Sequence, residues 1–260
     1  MSAPGGPPRH VHHALAQRRW PLLDDDRGTL LLVPVGSTEQ HGPHLPLGTD
    51  TMVAAAVARL AAERLVAEGR AVAVAPTLSY GASGEHEDFP GTVSIGHEAL
   101  YLLLVELGRS ACRWAQGVVF VNGHGGNVPT LKRAVALLRH EGRPVAWTGC
   151  GVPGGDAHAG RTETSILRHL APWSVQPGLA EPGVTTPARE LMAELVARGV
   201  RAVSPNGVLG DPTGATAEEG RGIVESLVRR VVGELVDIDV DEDGRLRPGT
   251  SRARATESAP

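Results

Sequence analysis

Short apolar runs alternate with longer helical patterns along most of the chain, and this alternation restricts the fold more than any other feature of the sequence. Runs such as TLLLVPVG (29–36) and VVFVNG (118–123) have the length and apolar content of buried strands. Each is followed by a segment that reads as a helix. Alternating strands and helices form βαβ units, whose strands pair in parallel. The chain is therefore predicted to be an α/β protein with a mostly parallel central sheet flanked by helices.

The same patterns predict the boundaries of the elements and of the domain. Predicted strands cover 29–36, 71–78, 118–123 and 144–149. Predicted helices cover 51–69, 98–117, 128–142 and 162–170, with two more near 188–198 and 216–236. We predict one domain over residues 17–240. Residues 1–16 and 241–260 are predicted to be disordered, because their composition carries no pattern that would bury a core face.

Composition excludes several classes of function. The formal net charge of −4 gives no global basic field for nucleic acid. No run approaches the roughly 18 apolar residues of a membrane span, and the first residues lack the apolar region of a secretory signal. The two cysteines, Cys112 and Cys150, lack CxxC spacing and are too few for a disulfide framework. We therefore expect a cytoplasmic protein that binds neither nucleic acid nor membrane.

A polar segment with metal-capable side chains follows each of the predicted strands. These segments occupy 37–50, 79–92, 122–127 and 150–163, and each contains His, Asp or Glu. In open parallel sheets, ligands bind outside the carboxyl ends of the strands. Four independent segments at that edge predict one shared functional site.

The segment STEQHGPHLPLGTD (37–50) has the highest density of such side chains. In an extended chain Glu39 and His41 lie on the same face, because side chains two residues apart do. Asp50 stands at the start of the next predicted helix, where a carboxylate suits the helix N-terminus. The alternative is that Asp50 only caps this helix, with Glu39 and His41 on the surface.

Two further segments have both a functional and a structural interpretation. His124 lies in the Gly-rich turn VNGHGGN, where the backbone can pass close to a ligand, but such a turn can also hold a histidine incidentally. His158 and Glu163 lie in DAHAGRTETS, where Glu163 can equally be an acid at a helix N-terminus.

The fourth segment, GASGEHEDFPGTVS (81–94), is a charged run of the kind that is usually solvated. His86 is a candidate for substrate contact. Gly91 and Thr92 indicate a tight turn near a ligand and are assigned to substrate binding with it.

Taken together, three carboxylates and two imidazoles predict a metal site. They are Glu39, His41, Asp50, His124 and Glu163. Oxygen and nitrogen ligands suit zinc, manganese or iron rather than metals that prefer thiolates. One catalytic metal needs only three protein ligands plus water. Five ligands, one of them a bridging carboxylate, would therefore fill a two-metal site of the kind used for hydrolysis.

Five motifs, in order along residues 29–235, resemble the creatininase (creatinine amidohydrolase) family. They are VPVGSTEQHGPHLPLGTDT, FPGTVS, NGHGGN, HAGRTETS and GVLGDPTGATAEEG. The resemblance implies a three-layer α/β fold, a homo-oligomer of several subunits and two divalent metal ions per subunit, which the ligand chemistry limits to zinc, iron or manganese. Within the family, the sequence is most similar to the branch that acts on the modified precursor peptide in mycofactocin biosynthesis.

The resemblance also implies which residue binds which metal. Glu39 and His124 would bind one ion and His41 the other. Asp50 would bridge the two ions. These assignments follow the positions of the matching motifs.

The sequence departs from creatininase at two positions. Creatininase has a glutamate ligand where this chain has Gly126, and Glu163 is the expected replacement. Creatininase also has a tryptophan, which packs on the creatinine ring, where this chain has Gly154. The second departure argues against creatinine as the substrate.

These expectations predict a metal-dependent amide or peptide hydrolase that releases the modified C-terminal Val-Tyr dipeptide from the mycofactocin precursor peptide. His158 is the candidate for protonating the leaving nitrogen, or it orients or binds a metal instead. The alternative enzyme hydrolyses a small formamide or a cyclic amide such as creatinine. A third possibility is a non-catalytic metal-binding or assembly protein, which the intact ligand set disfavours.

Overall fold

Four parallel strands form the centre of the protein. The computed structural model describes residues 13–25 and 28–249, so the predictions of disorder for 1–12 and 250–260 lie outside the described residues. The strands are β1 (Leu30–Val35), β2 (Val72–Val74), β3 (Gly117–Asn122) and β4 (Val145–Gly149). They pair in the order β2-β1-β3-β4, and every pairing is parallel. The predicted parallel sheet is confirmed.

Helices cover both faces of this sheet. Those in the described part of the chain are α1 (Trp20–Asp25), α2 (Thr49–Ala67), α3 (Gly96–Ala111), α4 (Val128–His140), α5 (Arg161–Leu170), α6 (Ala188–Val203) and α7 (Ala217–Val236). One face carries α2, α5 and α7, and the other carries α3 and α4. The fold therefore has the three layers that were expected. None of these helices is long and apolar enough to cross a membrane.

The alternation of side chains along the strands produces two hydrophobic cores. Leu30 and Leu32 of β1 pack in the core beneath α2, α5 and α7. Leu31 and Val33 pack in the core beneath α3 and α4, because neighbouring side chains of a strand point to opposite faces. The register pairs Leu31 with Val118, which belongs to the same core. Every residue of β1 and β3 is buried, as expected for a parallel sheet covered on both faces.

Two predicted elements are shorter in the structure. Regular pairing of β2 ends at Val74 although its apolar run continues to residue 78, and Pro76 within that run has no backbone N–H for a ladder. The helix α3 ends at Ala111 rather than at 117. The intervening residues turn back to the sheet, where the N–H of Gln116 donates to the carbonyl of Thr29 at 2.9 Å.

The C-terminal segment 239–247 packs against the edge strand β4, which differs from the disorder predicted for 241–260. The N–H of Trp147 donates to the carbonyl of Gly244 at 3.1 Å, and the N–H of Leu246 donates to the carbonyl of Trp147 at 2.8 Å. Leu246 is 3% exposed and belongs to a hydrophobic core. Edge strands present unpaired backbone groups, and the segment forms hydrogen bonds with those of β4. The polar composition of the segment did not indicate this pairing.

The N-terminal segment covers the opposite edge of the sheet. The N–H of Val74, in edge strand β2, donates to the carbonyl of His13 at 2.7 Å, and Ala14 forms a parallel bridge with Val74. Residues 13–16 are therefore placed by backbone pairing, although the sequence predicted disorder up to residue 16.

The packing of the C-terminal segment predicts the effect of Leu246→Ala. The free energy of unfolding should fall by about 2–5 kcal/mol, the usual cost of truncating a buried leucine, as measured by urea denaturation. Arg247→Ala is the matched control, because its side chain is exposed and its one ion pair within the described part of the chain is with Asp239 across 3.4 Å; it should change stability by less than about 0.5 kcal/mol. Equal effects of the two substitutions would contradict the packing.

Candidate metal centre

The polar segments that follow the strands meet at the carboxyl edge of the sheet, as predicted. Six titratable side chains are buried there, and a seventh is partly buried. The buried residues are Glu39, His41, Asp50, His86, His124 and His158, and the partly buried one is Glu163. Burying a charged group is costly unless the group is paired or binds a metal. So many buried groups at one place therefore indicate a functional site.

One group of potential ligands consists of Glu39, Asp50 and His124. The Nδ1 atom of His124 lies 3.1 Å from Oε2 of Glu39 and 3.1 Å from Oδ2 of Asp50. Glu39 is fully buried, and among the described residues neither of its carboxylate oxygens forms a hydrogen bond of good geometry, although an imidazole nitrogen lies within 3.3 Å of each. A divalent cation between these oxygen and nitrogen atoms would compensate the buried charge. The group therefore fits a metal ion.

A second group consists of His41, His158 and Glu163. The Nε2 atom of His41 lies 3.1 Å from Oδ1 of Asp50 and 3.8 Å from Oε2 of Glu163. On the other side of the ring, Nδ1 of His41 faces the carbonyl oxygen of Glu39 at 3.2 Å. A carbonyl oxygen can only accept, so Nδ1 donates and the Nε2 lone pair is left for a metal, an arrangement common among metal-binding histidines.

Asp50, a member of the first group, also contacts His41 of the second. Its Oδ1 atom faces His41, whereas its Oδ2 atom faces His124 and accepts a hydrogen bond from Oγ of Ser37 at 2.7 Å. Asp50 is in the first turn of α2, where the helix dipole favours negative charge. Each carboxylate oxygen thus meets a different imidazole, which is the placement expected of a carboxylate that bridges two ions.

The electrostatics of the cluster favour a cation at its centre. Burial alone would lower the pKa of His41, but attraction to Asp50, with smaller contributions from Glu163 and Glu39, raises it to about 10. Burial would raise the pKa of Asp50, but His41 and His124 hold that pKa well below its usual range. A negative potential that retains protons on imidazoles also attracts divalent metals, and proton and metal compete for the same nitrogen atoms.

One ring nitrogen of His158 contacts Gln40, and the other, Nδ1, faces Glu39, 3.8 Å from Oε1. The Nε2 atom lies 2.8 Å from the carbonyl oxygen of Gln40 and 3.0 Å from the side-chain Nε2 of the same residue. The shorter contact, to a carbonyl that can only accept, favours an Nε2 that donates and an Nδ1 that keeps a lone pair. Burial, and then the positive charge of His41, lowers the pKa of His158 to about 4. Its imidazole is therefore neutral near neutral pH and able to accept a proton.

The residue after His158 has a strained backbone. Ala159 has a φ of 52°, a left-handed conformation that costs an L-residue roughly 1–2 kcal/mol. Its N–H donates to Oε2 of Glu163 at 2.6 Å. Strain of this kind persists where surrounding structure enforces it, often at functional sites. Here the strained residue links His158 to the carboxylate of Glu163.

A cavity of about 420 Å³ opens beside the cluster. The predicted site residues that line it are Asp50, His124, His158 and Glu163. Both groups of potential ligands therefore contribute side chains to one cavity, which is the arrangement that a substrate-binding metal centre needs.

The residues predicted to bind substrate lie outside the wall of this cavity. The Nε2 atom of His86 faces Glu39, 3.3 Å from Oε1, and these two residues form a third group of potential ligands with His158. Oγ1 of Thr92 accepts a hydrogen bond from the N–H of Gln40 at 3.1 Å. Gly91 has a φ of 94° and packs beside Leu47. These contacts place His86 and Thr92 where they support the segment that carries Glu39 and His41.

Sequence reasoning missed two side chains that contact the predicted ligands or their neighbours. Gln40 donates from Nε2 to Nδ1 of His86 at 2.9 Å. Oε1 of Glu85 lies 3.4 Å from Nε2 of His124. A side chain at position 126 would collide with Glu85, because a Cβ on Gly126 would lie 2.5 Å from the same oxygen. The glycine at position 126, where creatininase has glutamate, was the sequence feature that could have indicated this contact, because the absence of a side chain there leaves room for that of Glu85.

Fold and site together are those of an α/β metal-dependent hydrolase. The chain belongs to the creatininase family, whose family model, described as creatinine amidohydrolase, matches residues 16–235. The family description and the peptidase relatives below indicate a hydrolase that acts on C–N bonds, and this protein is one.

Relatives with the name mycofactocin precursor peptide peptidase match most of the chain. The protein from Mycolicibacterium smegmatis is 56% identical over 218 residues, which cover 84% of this chain and 88% of that protein. The protein from Mycobacterium tuberculosis H37Rv is 57% identical over 221 residues, which cover 83% of this chain and 88% of that protein.

Solved structures share the fold. A crystal structure of creatinine amidohydrolase has a TM-score of 0.70 and 26% identity, and the match covers 85% of this chain and 95% of that one. Two further creatininase structures are described as a zinc–zinc type and as a manganese form, with TM-scores of 0.70 and 0.69. Zinc and manganese are both metals that an oxygen and nitrogen ligand set accepts.

Proposed function

We propose that this protein is a two-metal peptidase that cuts the mycofactocin precursor peptide and releases its modified C-terminal Val-Tyr dipeptide. The observation that carries the proposal is the opening of the buried ligand cluster onto a cavity of about 420 Å³. Cavities of roughly 300–1,000 Å³ bind drug-sized molecules, so this one has room for a dipeptide unit. The two peptidase relatives support the choice of substrate.

We assign the metals to the two groups of ligands. Glu39 and His124 would hold one divalent ion, and His41 and Glu163 would hold the other. Asp50 would serve both, because its two oxygens face different imidazoles. When bound, the ions lower the pKa of water towards about 7 and polarise the amide carbonyl.

His158 is the residue that transfers the proton. Its neutral imidazole takes a proton at Nδ1 from the attacking water and delivers it to the nitrogen of the scissile amide, which leaves as an amine. The donation from Nε2 to the carbonyl oxygen of Gln40 holds the ring in this tautomer. Proton transfer is needed because an unprotonated amide nitrogen is a poor leaving group.

Hydrolysis of a small cyclic amide such as creatinine is the competing function. Solved creatininases share the fold, but Gly154, which stands where creatininase has its tryptophan, offers no ring. Gly154 is exposed, and a Cβ built on it would meet no atom within 4 Å. This open position favours a larger substrate. A homo-oligomer and a cytoplasmic location stay predictions.

The metal assignment predicts different losses from two substitutions. Asp50→Ala should remove most of both ions, whereas Glu163→Gln should weaken one ion and leave the other largely bound. Elemental analysis of purified protein, expected to give two ions per chain in the wild type, measures both. Glu98→Gln, an exposed residue of α3 paired with Arg133, is the control and should leave metal content unchanged. Full metal content in Asp50→Ala would refute the bridge.

The substrate assignment is tested with the matured precursor peptide. Mass spectrometry should show two products whose masses sum to that of the peptide plus one water, with the cut before the modified Val-Tyr unit. Creatinine should be hydrolysed poorly by the same preparation. An intact peptide beside rapid creatinine hydrolysis would establish the competing function instead.

The role of His158 predicts a separation of rate from binding. His158→Ala should keep both metals but lose roughly 10²–10⁴ in kcat, the usual contribution of general acid–base catalysis. KM should change much less, because the interaction belongs to the transition state. His169→Ala, an exposed histidine of α5, should leave both parameters unchanged. Loss of one metal from His158→Ala would make His158 a ligand and exclude the proton role.

A further inference from the structure

The cavity extends beyond the part of the chain that matches the family. The family model ends at residue 235, yet three residues of the C-terminal segment 239–247 line the cavity together with Lys132 and Trp147. The three are Asp241, Asp243 and Arg245. One wall of the cavity is therefore built by residues outside the family match, whereas the predicted metal ligands lie inside it.

The C-terminal segment is held in place by specific contacts. Besides the two backbone hydrogen bonds with Trp147, the indole Nε1–H donates to the carbonyl of Asp243 at 3.0 Å. Gly244 has a φ of 71°, and a Cβ there would lie 2.4 Å from Cγ1 of Val135, so the turn needs glycine. Leu246 anchors the end of the turn in the core. These contacts fix the backbone from which the cavity-lining side chains project.

Most of the charges on this wall are already compensated. Nζ of Lys132 pairs with Oδ2 of Asp243 at 2.6 Å. Oδ1 of Asp241 accepts hydrogen bonds from the N–H groups of Asp243 and Arg245 at 3.0 and 2.9 Å. The guanidinium of Arg245 lies 5.4 Å from the centroid of the Trp147 ring, and no carboxylate among the described residues forms an ion pair with it. Because Lys132 pairs with Asp243, Arg245 is the positive charge on this wall that is left for a ligand.

We propose that Arg245 is a specificity-determining residue that binds a carboxylate side chain of the peptide substrate. A guanidinium presents a planar set of donors that matches a carboxylate in two parallel hydrogen bonds. Because the guanidinium already lies over the indole ring, its side chain loses less conformational entropy when it binds a ligand. The scissile bond precedes the last two residues of the peptide. Because neither Val nor Tyr has a carboxylate side chain, the carboxylate belongs to an Asp or Glu on the N-terminal side of that bond.

This inference rests on the proposed peptidase function. It goes further because it separates two parts of the site. The metal ligands and His158 carry out the hydrolysis, and these residues need only the scissile amide of the substrate. Recognition of the remaining peptide belongs to Arg245, which should affect the binding of substrate and leave the chemical step nearly unchanged.

The test compares Arg245→Gln and Arg245→Glu with the control Arg247→Gln, which lies two residues further along and does not line the cavity. The substrates are the matured precursor peptide, a version with each upstream Asp or Glu changed to its amide, and a version with the same residues changed to Lys. Arg245→Gln should raise KM for the first peptide roughly 5- to 30-fold, the range between an exposed and a partly desolvated ion pair, with kcat altered less than about twofold. The amide peptide should show the same KM with Arg245→Gln and with the wild type.

Charge reversal provides the sharper comparison. Arg245→Glu should prefer the Lys peptide to the acidic one, whereas the wild type and Arg247→Gln should prefer the acidic peptide. Metal content and thermal unfolding should match the wild type in every variant, because the backbone contacts of the segment are unchanged. Equal KM values for the acidic and amide peptides with wild-type protein would overturn the role of Arg245. Failure of the wild type to cut any of these peptides would instead overturn the peptidase function.

Discussion

A buried carboxylate between two imidazoles is the interaction on which the site depends. Asp50 presents one oxygen to His41 and the other to His124, each at 3.1 Å, and Ser37 fixes the second oxygen. Contacts between buried groups such as these are strong, and an unpaired partner would be costly. The first turn of α2 supplies both the position of Asp50 and a dipole that favours its charge. The loop after β1 and the turn after β3 are therefore held together by the same group that prepares the site for metal ions.

The parallel sheet determines which segments can reach Asp50. The strand β1 lies between β2 and β3 in the sheet, so the loop that follows it is flanked by the loops from both neighbours. That loop carries Glu39 and His41, the turn after β3 carries His124, and the segment after β4 carries His158. Only an all-parallel arrangement brings four carboxyl ends to one edge. The chemistry of the site is thus a consequence of strand direction, which the alternation of short apolar runs and helical patterns already specified.

The sequence predicted the potential ligands better than their surroundings. Glu39 and His41 were recognisable because side chains two apart in an extended segment face the same way, and this is a local property. The contact between Glu85 and His124 was not predictable in the same way, because it depends on how the loop after β2 folds over the turn after β3. The C-terminal segment was missed for another reason. Its composition is polar, and one buried side chain, Leu246, together with pairing to β4, is enough to hold it against the sheet.

Covering an exposed sheet edge and shaping the substrate cavity are achieved by the same segment. The edge strand β4 needs partners for its outer backbone groups, and residues 239–247 supply them through Trp147. Because β4 ends at the metal centre, whatever covers its edge also lies next to the cavity. The predicted ligand positions would tolerate little change, since each would have to present a specific atom to a metal. The covering segment is held by backbone pairing, a glycine at 244, an apolar anchor at 246 and the hydrogen bonds that Asp241 accepts from the backbone. The side chain of Arg245 takes no part in these contacts, so this position of the segment can change without disturbing the predicted metal ligands, which suits the recognition role proposed for it.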